Sequence, residues 1–118
     1  MVDMELKKAF MELQKKMMDT QNQMRISDVQ IDSLGKEKRK IQLTQNEIQQ
    51  LSDDTKLYQS IGRMFLYKSK PDIMQVLKDE YKDAESKISE LEAKKTYLER
   101  SVKSSEENLR EMVAQRRK

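Results

Sequence analysis

Apolar residues recur at alternating three- and four-residue steps through two long segments of this chain, and the pattern breaks off between them. In the first segment the recurring positions are Leu6, Phe10, Leu13, Met17, Thr20, Met24, Ser27, Ile31, Leu34, Lys38 and Ile41. Eight of these eleven are apolar, and the residues between them are mainly Lys, Glu, Gln and Asp. Such a seam, held for about five heptads, predicts a helix that buries one narrow stripe against another helix. At ~1.5 Å per residue the arm would be roughly 54 Å long. Gly35 lies inside it at a cost of about 1 kcal/mol against alanine, so a fray or bend is expected there. The second seam reads Leu77, Tyr81, Ala84, Ile88, Leu91, Lys95, Leu98, Val102, Ser105, Leu109 and Met112, with nine of eleven apolar. It has a clear start. Ser69 followed three residues later by Asp72 fits a capping box, and Pro71 falls in the first turn, where a missing N–H does little harm.

Two arms of similar length imply an antiparallel helical hairpin. If the numbers of facing residues sum to 115, every seam position meets a seam position: Leu6 faces Leu109, Leu13 faces Val102, Met17 faces Leu98, and Thr20 falls opposite Lys95. A parallel pair with a second copy is the competing arrangement. The interruption in mid-chain argues against it, because a continuous parallel dimer has no use for one.

The interruption is "LTQNEIQQLSDDTKLYQSIGRMFLYKSKP". Thr44 and Glu47 fit a second capping box, which predicts a short helix over "QNEIQQL". "SDD" (residues 52–54) is a turn signal. Leu57, Gln59 and Ile61 then alternate with Tyr58 and Ser60, and Gly62-Arg63 suits a two-residue type II′ turn with glycine first. Met64, Phe65, Leu66 and Tyr67 form the return strand, so that Ile61 pairs with Met64, Gln59 with Leu66 and Leu57 with Lys68. The return strand is apolar on both faces. A lone two-stranded hairpin is marginal in water, and its open edges invite another chain. With both arms using their seams on each other, Leu57, Tyr58, Ile61, Gly62, Met64, Phe65, Leu66 and Tyr67 are expected to act as an assembly element, joining hairpins of other subunits in a shared sheet or barrel. The alternative is a hairpin folded back on its own arms.

The expected fold is therefore mostly α: a long antiparallel two-helix coiled coil with a single β-hairpin between the arms, the hairpin joining an intersubunit β-barrel. One domain spans 1–118, with arms at 1–43 and 71–118 and the short helix and hairpin at 44–70.

Composition excludes most chemistry. The 118 residues contain no cysteine and no histidine, which removes disulfides, thiol catalysis and the commonest general base and metal ligand. No catalytic residue, cofactor or metal site is expected. Asp53 and Asp54 lack the spaced oxygen ligands of a calcium loop. The arms carry nine basic and seven acidic residues up to Leu43, and eleven of each from Pro71 onward. This is not the one-sided basic stripe of a nucleic-acid binder, and "KEKRK" (residues 36–40) does not lead straight into a seam as a DNA-binding zipper requires. No apolar run nears the ~18 residues of a membrane span. The opening "MVDMELKKAF" lacks the apolar core of a signal peptide. The expectation is a soluble cytoplasmic chain.

The order of arm, single hairpin and arm resembles the prefoldin family. "DMELKKAFMELQ", "IGRMF" and "YLERSVKSSEENLREM" are similar to its β-type subunits, and the likeness covers essentially the whole chain. The resemblance implies a heterohexamer of two α-type and four β-type subunits, with a double β-barrel platform and six projecting coiled coils. It also implies a co-chaperone that works without ATP, holding unfolded proteins such as actin and tubulin at the coiled-coil tips and delivering them to the cytosolic group II chaperonin. Carried onto this sequence, the tips are Met1, Val2, Met4, Leu6, Phe10 and Met11 on one side and Leu109, Met112 and Val113 on the other. Leu6, Phe10 and Leu109 are equally readable as ordinary seam residues. The competing function is a structural or tethering coiled-coil subunit that holds no clients.

Overall fold

The computed structural model describes residues 2–116, with side chains from Met4 onward. Helix α1 spans Val2–Gln49, strands β1 and β2 span Leu57–Ile61 and Met64–Lys68, and helix α2 spans Lys70–Arg116. The chain divides into two compact units, Met1–Gln30 with Glu90–Lys118, and Ile31–Ser89. In each unit a segment of α1 runs antiparallel to a segment of α2.

The second helix starts as its sequence requires. Ser69 caps it: the Asp72 N–H donates to Ser69 Oγ at 3.4 Å, and the Ile73 N–H donates to the Ser69 carbonyl at 3.0 Å. Pro71 sits in the first turn, where no intrahelical acceptor is available for an N–H anyway. The first helix ends later than expected. No break occurs at Thr44, and "QNEIQQL" is not a separate short helix; α1 continues to Gln49. The Thr44 hydroxyl donates back to the Lys40 carbonyl at 2.9 Å instead of capping a new start. Tertiary burial overrides the local signal, because Ile48 is buried like Ile41 and extends the seam by another heptad, about two turns. Gly35 likewise lies within continuous helix, and no fray appears there. The turn at Ser52 forms as read, with the Asp54 N–H on Ser52 Oγ (3.2 Å) and the Thr55 N–H on the Ser52 carbonyl (3.0 Å).

On each helix ten of the eleven expected seam positions are buried or partly buried. The exceptions are Phe10 and Met112, which remain 46% and 38% exposed.

The register differs from the sequence-based pairing by one heptad. In the unit built from residues 1–30 and 90–118, Lys16 Nζ donates to Ser105 Oγ at 2.7 Å, Lys95 pairs with Asp28, and Arg116 pairs with Glu5 at 2.7 Å. In the unit of residues 31–89, Lys38 pairs with Glu85 at 3.6 Å and lies 4.9 Å from the Tyr81 ring centre, while Gln42 Nε2 donates to Tyr81 Oη at 3.2 Å. Facing seam positions thus have numbers summing to about 122, not 115.

A slide of seven residues brings seam back onto seam, so apolar spacing alone cannot choose between these registers. The odd layers choose. In the observed register Lys95 is level with Ser27, which is 1% exposed, and Lys38 is level with Ala84, which is 3% exposed. A small residue at the level of each lysine leaves room for its aliphatic stem, and each ammonium pairs with a carboxylate on the flank. The alternative would set Lys95 against Thr20 and Lys38 against Leu77.

The Asp28 hydrogen bond holds the Lys95 ammonium above its ordinary value of 10.5; desolvation opposes this, and Asp28, Glu99 and Glu92 add attraction. A cation whose folded value is raised stabilises the fold fully below the unfolded value. That contribution disappears as pH climbs through the folded one. The urea midpoint should therefore hold to about pH 10 and fall as pH climbs past 10.5, and fall less in Asp28→Asn. The register has its own test. Ser27→Cys with Lys95→Cys should oxidise readily to a disulfide, whereas Thr20→Cys with Lys95→Cys, about 10 Å out of step along the axis, should not.

Candidate functional site

The hairpin is the first candidate. Its register matches the expectation at every pair: Leu57 with Lys68, Tyr58 with Tyr67, Gln59 with Leu66, Ser60 with Phe65, and Ile61 with Met64. Gly62 has φ of 60°, and no non-glycine among the described residues has positive φ, so Arg63 does not. That combination is the type II′ turn, whose twist suits the two strands. Alternation places Leu57, Gln59, Ile61, Met64 and Leu66 on one face and Tyr58, Phe65 and Tyr67 on the other. The aromatic face is open, with Tyr58 and Tyr67 in edge-to-face contact at 6.0 Å between ring centres. Met64 and Phe65 point to opposite faces, and both are 73% exposed. Both outer edges are free of further strands among the described residues. Gln59 Oε1 is buried without a hydrogen-bond partner among the described residues.

Lys70 fixes where this hairpin leaves the helices, and sequence reasoning passed over it. Its Nζ donates to the carbonyls of Gln49 (3.3 Å) and Leu51 (3.0 Å) and lies 3.4 Å from Asp53 Oδ1. The last turn of α1 has no basic residue of its own. Lys70 supplies the positive charge that the carbonyl end of a helix favours. One signal was available: a lysine in the first turn of α2 is at the wrong end of its own helix dipole, so it needed a partner elsewhere. Lys70→Met should cost roughly 0.3–1 kcal/mol. It should speed amide exchange over residues 51–55 while exchange in the seam-facing segments stays unchanged.

The start of α1 and the end of α2 form the second candidate. Met1 and the side chain of Val2 lie outside the described residues. The other predicted residues separate into two groups. Leu109 is buried in the seam, and Leu6 and Val113 are partly buried. Met4, Phe10, Met11 and Met112 are exposed, Met4 to 76%. Ala9, next to Phe10, is partly buried on the inner side, and a groove of about 340 Å³ runs past Ala9, Leu13, Leu109 and Met112. Three further exposed apolar side chains, Met18, Ile26 and Val29, were not anticipated. Their heptad positions, away from the seam, were the available clue.

Among the described residues, no cluster of His, Cys, Asp or Glu is placed to hold a metal ion. No described helix is long and apolar enough to cross a membrane.

Comparison with known proteins gives one consistent answer. The family model described as "Prefoldin subunit" matches residues 11–116. Prefoldin subunit 1 of Tetraodon nigroviridis is 53% identical over 116 residues, covering 98% of this chain and 95% of the relative. The human prefoldin subunit 1 is 52% identical over the same shares. The Arabidopsis thaliana prefoldin subunit 1 is 34% identical over 112 residues, covering 95% of this chain and 82% of its own. The fold is similar to the crystal structure of the prefoldin beta subunit from Thermococcus strain KS-1, with a TM-score of 0.72 at 19% identity, over 91% of this chain and 90% of that one.

Proposed function

Because the chain belongs to the prefoldin family, we propose that it holds unfolded proteins through the ends of its two helices and passes them to the cytosolic chaperonin without ATP. Membership makes it a subunit of a chaperone assembly with other prefoldin subunits. The proposed particle is a heterohexamer of two α-type and four β-type subunits in the cytoplasm. Its hairpins join in a double β-barrel, and its clients include actin and tubulin.

The observation that carries this reading is the exposure of Met4, Phe10, Met11 and Met112. A scaffold gains nothing from bare apolar side chains where two helices end. Methionine is flexible and polarisable, which suits a surface that must fit many sequences. Each contact is weak on its own, and several such ends facing one client act through effective concentration. Release then needs no nucleotide. Assembly rests on the other group. Phe65 and Tyr67 on one face, with Met64 and Leu66 on the other, give the hairpin two apolar surfaces to bury against neighbours.

One experiment separates the two roles. Met4, Phe10, Met11 and Met112 are replaced together by serine in one variant, and Phe65 and Tyr67 in another. The first should keep the native mass of the complex and lose severalfold in suppressing aggregation of a denatured protein. The second should drop out of the complex. Full suppression by the first variant would leave a tethering subunit as the better reading. Loss of its native mass would overturn the division of labour.

A further inference from the structure

Glutamates recur every seven residues along α2, at Glu85, Glu92, Glu99 and Glu106. The last three belong to the unit of residues 1–30 and 90–118. In the observed register the α1 positions on the same flank are Gln14, Gln21 and Asp28. None is a cation, although coiled coils commonly neutralise a flanking row of carboxylates with lysines across the seam. Asp28 adds a further negative charge and engages Lys95, the seam cation that also attracts Glu92 and Glu99, so the row is only partly balanced.

Beside this row lies a groove of about 320 Å³. The seam residues Met17, Thr20, Met24 and Val102 line it together with Gln21, Glu99 and Glu106 from the flanks. Lys103 also lines it and forms no ion pair among the described residues. With Lys103 counted, the groove still carries net negative charge. Its size is at the lower end for a ligand site, enough for a few side chains. Two thioethers in its lining allow it to accept differing apolar shapes.

We propose that this groove takes an apolar segment of an unfolded chain that bears lysine or arginine beside its apolar residues. The proposal rests on the client-holding reading above and narrows it to a class of segment. Glu99 and Glu106 are two helical turns apart, about 10 Å along the axis. Cations four residues apart in an extended segment lie on one face about 13 Å apart, a span that their long side chains can match to the two carboxylates, and the residue midway between them faces the same way. Such a segment can set its apolar side chains on Met17, Met24 and Val102 while both cations meet carboxylates. An acidic segment of the same apolar content would meet repulsion instead, so the groove selects as well as binds.

The test uses the assembled complex containing this chain, either unaltered or as Glu99→Gln/Glu106→Gln, which keeps side-chain shape and helix propensity. The probes are two fluorescein-labelled twelve-residue peptides with the same leucines and phenylalanines. One carries two arginines four positions apart, and the other carries two glutamates there. Binding is read by fluorescence anisotropy at low and high salt. The arginine peptide should bind about fivefold more tightly, a preference that shrinks in high salt and vanishes in the variant. Equal binding of the two peptides, or a preference that survives the double substitution, overturns the proposal. Suppression of aggregation by the serine variant at Met4, Phe10, Met11 and Met112 reports separately on client holding. That reading can therefore fail while the peptide preference stands, and the reverse.

Discussion

Lys95 is level with Ser27 and pairs with Asp28, and Lys38 is level with Ala84 and pairs with Glu85. These two layers decide how the helices match, and the other contacts between the helices depend on that match. The seam buries little. Ile41, Ile48, Ala84 and Leu109 are the only apolar side chains among the described residues that are truly inside, beside Thr20 and Ser27. A seam of interchangeable apolar steps supplies stability without a unique alignment. A lysine that needs both a small neighbour and a carboxylate supplies alignment at some cost in stability. Each unit has one such layer, so each carries its own mark of register.

The same economy accounts for the exposed surfaces. The seam stripes of α1 and α2 are spent on each other, and among the described residues Met64 and Phe65 stay open on the two sides of the hairpin. What the chain does provide is a firm base. Ser69 caps α2, and the neighbouring Lys70 holds the carbonyl end of α1. Two adjacent residues thus satisfy backbone groups at the ends of two different helices. The strands between them are left to their own pairing. A hairpin held at its root in this way keeps its pairing while two apolar faces stay unsatisfied.

Several parts of the chain were readable in advance because their causes are local. The II′ turn needs only a glycine able to take positive φ, and Gly62 set the hairpin register within two residues of itself. The cap at Ser69 is equally local. Other features depended on distant residues. Thr44 and Glu47 look like a helix start, but Ile48 had a buried site to fill, and α1 ran through. Phe10 and Met112 occupy seam positions by count, yet remain less than two-thirds covered. Their heptad positions gave no warning of that, and the open residues at the ends of the helices could be counted correctly only from the structure.

The sequence by itself determined the element types, the two apolar stripes, the hairpin and its register, and the absence of histidine and cysteine chemistry. Each follows from periodicity, turn stereochemistry or composition, which act over a few residues. Only the tertiary structure decided the alignment of one helix on the other, the true end of α1, the role of Lys70 and the groove that Glu99 and Glu106 line. A heptad pattern is unchanged by a slide of seven residues. The energy that selects one alignment lies in the fit of particular side chains across the seam, and that fit exists only once the two helices are side by side.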